Sequence, residues 1–275
     1  MLKKLMKYEL KSTGRFFLPA YVALAVVAVI NRLFIEFNDN YYNSYYYTSS
    51  SAVDISQGTV IFLYVVLILI TCVLTFAIMV QRFNKNLLSD EGYLMFTLPV
   101  KTNELLFSKV FTSMIWSFTT AIVTVLSFMI LFADKWFFSN FYTVIQELFI
   151  HLQRYGLGAH FTAWVIEFII IAFLGSASAV LMSYAAIAIG HLSKKYRTFT
   201  AVVAYIGLLV VNQFFYSVVN TVLFQSDWFY FWWIDLETTT QTHCVFIIGI
   251  CVSLVLAVGY YLIVNHVLTN NLNLE

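Results

Sequence analysis

Apolar residues run almost unbroken through six stretches of the chain: Phe16 to Phe34, Thr59 to Val80, Val110 to Ala133, Phe161 to Ile189, Phe199 to Leu223 and Cys244 to Val267. A helix rises about 1.5 Å per residue and the hydrocarbon core of a bilayer is about 30 Å thick, so about 20 such residues cross it. Each stretch is therefore expected to be a membrane-spanning helix, the fourth long enough to tilt or to emerge from the bilayer. Pro19 falls near the start of the first span, where a missing N–H matters least. Gly207, Gly249 and Gly259 are tolerated inside such helices.

The segments between and before the spans carry their own patterns. Leu2, Leu5, Met6 and Leu10 recur at helical spacing, with Lys3, Lys4, Lys7 and Lys11 available to anionic headgroups. Met1 to Thr13 thus reads as an interfacial helix that turns into the first span, the other reading being a solvated basic tail. Asn38 to Ser51 reads as a polar loop rich in tyrosine. Phe141, Val144, Ile145, Leu148, Phe149 and Leu152 predict an amphipathic helix behind an Asn140 cap, too polar to span. In Gln225 to Gln241 three tryptophans surround Asp227 and Asp235. An interfacial aromatic belt accounts for them; a re-entrant outer helix or exit gate is the alternative. The Gly156-Leu157-Gly158 pair of glycines has Phe161 where a dinucleotide fingerprint needs a third, and reads as a turn before the fourth span. No internal repeat, linker or soluble domain interrupts residues 1–275, so one six-helix membrane domain is expected.

Composition agrees. Hydrophobic residues make up 61% and charged residues 11% of 275, too few charges to cover a water-soluble globule of this size. The net charge of +1 gives no reason to expect a nucleic-acid partner. Cys72, Cys244 and Cys251 lie inside apolar runs and read as small packing residues. The basic start followed by an apolar run is similar to a signal peptide, with Ala23-Leu24-Ala25 imitating a cleavage site. The run continues to Phe34, so an uncleaved anchor is expected.

Charge also orients the spans. Twelve basic residues fall on one side (Lys3, Lys4, Lys7, Lys11, Arg15; Arg82, Lys85, Lys101, Lys109; Lys194, Lys195, Arg197) and three on the other (Arg32, Lys135, Arg154). Cytoplasmic loops carry such an excess, so both termini are expected in the cytoplasm.

Several chemistries lack their residues. There is no G-x-x-x-x-G-K-[ST] loop to cradle nucleotide phosphates, so any energy from ATP must come through a partner. His151, His160, His191, His243 and His266 sit at loop or span ends with no H-E-x-x-H and no i, i+4 pair, which argues against a zinc site. Gly175-Ser176-Ala177-Ser178-Ala179 is an incomplete nucleophile motif with no histidine at its depth, and reads as small residues that let helices approach. Glu167 lies about one and a half turns inside the fourth span. A carboxylate there needs a partner or water, and Arg32 near the same end of the first span is the counter-ion expected, with Glu36 competing for it. A structural ion pair is the favoured reading, a proton or substrate path the alternative.

The polar connection from Gln81 to Lys109 is the least membrane-like part of the chain. Leu87, Leu88, Tyr93, Leu94, Met95 and Phe96 give it a greasy surface, and Asp90 and Glu91 favour the start of a short helix. Pro99 stops that helix. Thr102 or Asn103 can cap the next, with Glu104 in its first turn. An ordinary loop on the headgroups is the other reading.

Here "RFNKNLLSDEGYLMFTLPVKTNELLFSKV", the opening "MLKKLMKYELKSTGRFFLPAY" and the six-span pattern together resemble the permease subunits of bacterial ABC-2 type ATP-binding-cassette transporters, D-E-G-Y-L-x-x-T-L-P-V being the most specific part. The resemblance implies an all-α membrane protein with six transmembrane helices, an N-terminal interfacial connector helix over Met1 to Thr13, a cytoplasmic coupling helix and short outer helices over Gln225 to Gln241. It further implies a bacterial cell membrane, a second permease subunit, identical or related, and a separate cytoplasmic ATPase. The chain itself would bind no cofactor; ATP and Mg2+ would sit on the ATPase. The residues gripped by that partner would be Ser89, Asp90, Glu91, Gly92, Tyr93, Leu94, Met95, Phe96 and Thr97, closed off by Pro99. An amphipathic or hydrophobic cargo suits spans with so few charges. An intramembrane enzyme such as a serine protease, or a secondary transporter, are the competing classes.

Overall fold

The computed structural model describes residues 2–44, 51–88, 102–193 and 195–270. Among them there is no strand, and the helices run in the order α1 (Leu2–Ser44), α2 (Ser51–Phe83) continued by a π-helical turn (Asn84–Leu88), α3 (Thr102–Leu131), α4 (Lys135–Arg154), α5 (Gly158–His191), α6 (Arg197–Phe224), α7 (Asp227–Ile234) and α8 (Thr238–Asn270). Six of them are long and apolar enough to cross a membrane: Lys3–Phe37, Gly58–Leu88, Thr102–Leu131, Gly158–His191, Arg197–Leu223 and Thr238–Thr269. They coincide with the six apolar runs, as a protein that must satisfy its backbone without water requires. The surface is apolar as well. No residue in the most apolar stretch of α6 is buried, and Phe199, Val210 and Phe214 are each more than 60% exposed, a surface suited to lipid rather than water.

Three boundaries differ from those the sequence predicts. The interfacial segment and the first span form one helix from Leu2 to Ser44 with Pro19 inside it, so there is no turn at Thr13–Gly14, and residues 38–44 of the expected loop are helical. The amphipathic helix starts at Lys135, not after Asn140. Asp134 accepts its first hydrogen bond, from Phe138 N at 3.0 Å, and Asp is as well suited to that position as Asn. The helix after the polar connection has Glu104 in its first turn, as read, but Thr102 and Asn103, expected as its cap, are already helical residues.

The chain divides into two units. In the N-terminal unit, residues 7–79 and 115–150, Leu24 and Ala28 of α1, Tyr64 of α2 and Leu131 of α3 form a buried core. Trp116 of α3 stacks on Phe17 with ring centroids 4.3 Å apart and donates its indole N–H to Thr13 Oγ1 at 2.7 Å. Tyr21 meets Thr120 at 2.7 Å and Tyr64 meets Ser127 at 2.6 Å. Lipid offers no competing water, yet such interhelical bonds contribute only about 0.6 kcal/mol each on average. Packing therefore holds this unit together, and the hydroxyls set its register.

In the C-terminal unit, residues 80–114 and 151–275 with the first six residues, α5 is the central element and packs most extensively on α8, then on α6. Its second half, Val180 to Ala188, is buried without a gap. Helices α5 and α8 run in the same direction, and α6 returns against α5. The tightest approaches are at glycines: a methyl at Gly190 would stand 2.8 Å from the Ala201 backbone of α6, and one at Gly249 would collide with the Ile171 side chain. Gly175, expected to be a contact point, faces open space. Cys72 and Cys251, expected to pack, are exposed. Close approach in lipid is governed by where small residues coincide with a neighbour, not by their density along one helix.

Gly190→Ala is therefore expected to destabilise the protein by about 1–3 kcal/mol, an overpacking cost against rigid backbone. Gly175→Ala should be neutral or stabilising by up to about 1 kcal/mol, the gain in helix propensity. Thermal unfolding of the two variants in detergent checks the contrast; equal effects would contradict it.

Candidate functional site

The expected partner-gripping residues Ser89 to Thr97 and Pro99 lie outside the described residues, but both roots of that connection are described. On the entering side the π-helical turn Asn84–Leu88 buries Asn86, Leu87 and Leu88. On the leaving side Leu105 and Leu106 of α3 are no more than 1% exposed, and Lys109 is only 4% exposed. Both roots join one core with Tyr184 of α5 and Val264 of α8. Phe83 and Tyr184 stack face to face with centroids 3.9 Å apart, the Tyr184 hydroxyl meets Ser113 at 2.6 Å, and His191, the last residue of α5, meets Asn84 Oδ1 at 2.7 Å. That oxygen only accepts, so His191 donates from Nε2. A force applied between residues 88 and 102 thus reaches α5 through close-packed aromatic and aliphatic side chains, which are poorly compressible.

A second polar cluster lies at the first turns of α5 and α8. Glu167 Oε1 and Oε2 are 2.8 and 3.0 Å from His243 Nδ1, and His243 Nε2 is 3.1 Å from His160 Nδ1. His160, Trp164 and Glu167 follow at i, i+4 and i+7 on one face of α5, and Trp164 lies beside both imidazoles, ring centroids 6.2 Å from His160 and 5.8 Å from His243. The Glu167 and His243 side chains are 19% and 21% exposed. Sequence reading placed both histidines at span ends but could not pair them, because 83 positions separate them.

The expected partners Arg32 and Glu167 each have another. Arg32 Nη2 lies 3.8 Å from Asp134 Oδ1, with the two side chains 20% and 58% exposed, while Glu167 is held by His243. Ser176 and Ser178 donate to the carbonyls of Phe173 and Gly175, at 2.8 and 2.9 Å. Their hydroxyl protons are thus committed to their own helix. Among the described residues, no group of three or more His, Cys, Asp or Glu gathers around a common point to hold a metal ion.

The chain matches no family model, no curated protein and no solved structure.

A double-mutant cycle distinguishes the two ion pairs. Glu167→Gln with His243→Ala is expected to give a coupling of about 0.5–3 kcal/mol, because the two share a hydrogen bond in a poorly hydrated site. Arg32→Ala with Asp134→Asn should couple by less than about 1 kcal/mol, since Asp134 is exposed and its pair is screened. Unfolding free energies in detergent are the measurement.

Proposed function

We propose that the chain is the membrane permease subunit of an ATP-driven exporter of the ABC-2 type, forming the path for an amphipathic or hydrophobic cargo and driven by a separate cytoplasmic ATPase. The observation that carries the reading is the anchoring of the polar connection: both of its roots are sunk in the core shared by α5 and α8. A loop that merely joined two spans would have no need of Phe83 stacked on Tyr184 or of His191 bonded to Asn84. A lever does need them, because its load must reach the spans without being absorbed by soft contacts.

In this reading Ser89 to Thr97 form the coupling helix and the first turns of α1 the interfacial connector. ATP binding draws two ATPase subunits together, and each carries with it the helix it grips. Transport results only if the two arrangements of the spans differ in free energy by an amount that ATP binding can reverse. The chain carries no G-x-x-x-x-G-K-[ST] loop, and in this reading the nucleotide is held by the ATPase. A membrane protease fits less well: Ser178 donates its proton to Gly175 O, and none of its hydrogen bonds reaches a histidine base.

Replacing Glu91, Tyr93 and Leu94 together by alanine should abolish cargo-stimulated ATPase activity in reconstituted vesicles while membrane insertion stays normal. Undiminished stimulation would refute the assignment, as would purification of the native complex without any nucleotide-hydrolysing subunit.

A further inference from the structure

The cluster at the first turns of α5 and α8 has an internal logic independent of transport. An ionised carboxylate only accepts hydrogen bonds, so Glu167 fixes the Nδ1 of His243 as a donor. Neutral His243 then presents an unprotonated Nε2, and the only neutral partner it can receive at 3.1 Å is a proton on His160 Nδ1. The two nitrogens face each other across this 3.1 Å contact, and one proton shift within His160, from Nδ1 to Nε2, leaves a lone pair on each.

We propose that His160 Nδ1 and His243 Nε2 bind a divalent transition-metal ion, with Glu167 as the positioning residue that holds His243 in the required tautomer. With metal–nitrogen distances of about 2.0–2.1 Å, nitrogens 3.1 Å apart subtend about 100° at the ion, between the octahedral and tetrahedral angles. Imidazole pairs suit Zn2+, Cu2+ and Ni2+. A carboxylate on the far nitrogen of a ligating histidine is the usual outer support of such an ion, orienting the ring and raising its basicity. Two protein ligands leave positions for water, in keeping with the absence of a larger cage among the described residues.

A separate observation lies in the same cluster. The Trp164 indole N–H is buried and has no acceptor among the described residues, although its ring lies beside both histidines. Indole nitrogen can only donate, and a stranded donor is costly. Hydroxide or another anion on a bound ion would be an acceptor of the kind it lacks. The Ile171 contact at Gly249 keeps α5 and α8 close enough for the pair to form.

The test uses tag-free, chelator-treated full-length protein in detergent, titrated with Cu2+ and followed by electron paramagnetic resonance, with Zn2+ titrated in parallel by calorimetry. One ion per chain is expected, with a Cu2+ spectrum carrying the hyperfine splitting of two imidazole nitrogens. His160→Ala and His243→Ala should each remove one nitrogen and weaken binding at least about 10-fold, whereas Glu167→Gln should keep both nitrogens and weaken binding about 10–100-fold. Absence of stoichiometric binding, or a wild-type spectrum without imidazole nitrogens, overturns the proposal whether or not the variants fold. Binding that survives both histidine substitutions does so too. None of these outcomes bears on the ATPase, so the metal site and the transport reading stand or fall separately.

Discussion

A polar hydrogen without an acceptor costs several kcal/mol in lipid, and this constraint orders much of the molecule beyond the helices themselves. Serine and threonine hydroxyls close onto their own backbone: Thr71 on Leu67, Thr112 on Ser108, Thr124 on Thr120. A hydroxyl has one proton and two lone pairs, so one that donates backward can still receive. Thr13 donates to Glu9 O and receives the Trp116 indole. Thr120 donates to Trp116 O and receives Tyr21, and Ser127 donates to Thr124 O and receives Tyr64. Trp116, Tyr21 and Tyr64 are thereby satisfied without burying a charge, whereas the fully buried Asn31 amide of α1 finds no side-chain partner among the described residues.

The C-terminal unit solves a different problem, bringing polar residues of distant sequence to α5. At one end of that helix Glu167 and His160 meet His243; at the other Tyr184 meets Ser113 and His191 meets Asn84. Between them α5 approaches α8 closely where Ile171 meets Gly249, and beside His191 it approaches α6 closely at Gly190. The helix thus carries the hydrogen-bonded cluster near its start and packs its buried second half, Val180 to Ala188, in the core that holds the roots of the polar connection.

How much of this was legible in the sequence follows from the range of each interaction. The spans were readable because about 20 consecutive apolar residues have few other uses. Helix ends were not, because they depend on neighbours. Met1 to Thr13 reads as an interfacial helix that turns into the first span, but Gly14, which follows it, packs against the Trp116 ring, whose nearest atom is 3.5 Å from where a methyl would be, and α1 passes straight through. Asn140 is a good cap by type, but Asp134 comes first. Arg32 and Glu167 were matched by depth alone, and each has a partner that depth does not specify, Asp134 in one case and His243 in the other. Lys109, counted among the surface cations, is buried. Charge and hydropathy are properties of one residue; these outcomes depend on two or three brought together by packing.

The π-helical turn at Asn84–Leu88 was equally invisible, and it sets the phase of whatever follows. Its hydrogen bonds enclose one residue more than those of an α-helix, and three consecutive side chains, Asn86, Leu87 and Leu88, are turned inward. Consecutive α-helical residues would fan out over about 200°. Deleting one residue here would restore ordinary pitch and turn the end of the helix through about 100°, so the azimuth at which α2 finishes at Leu88 is encoded by a single surplus position in the backbone.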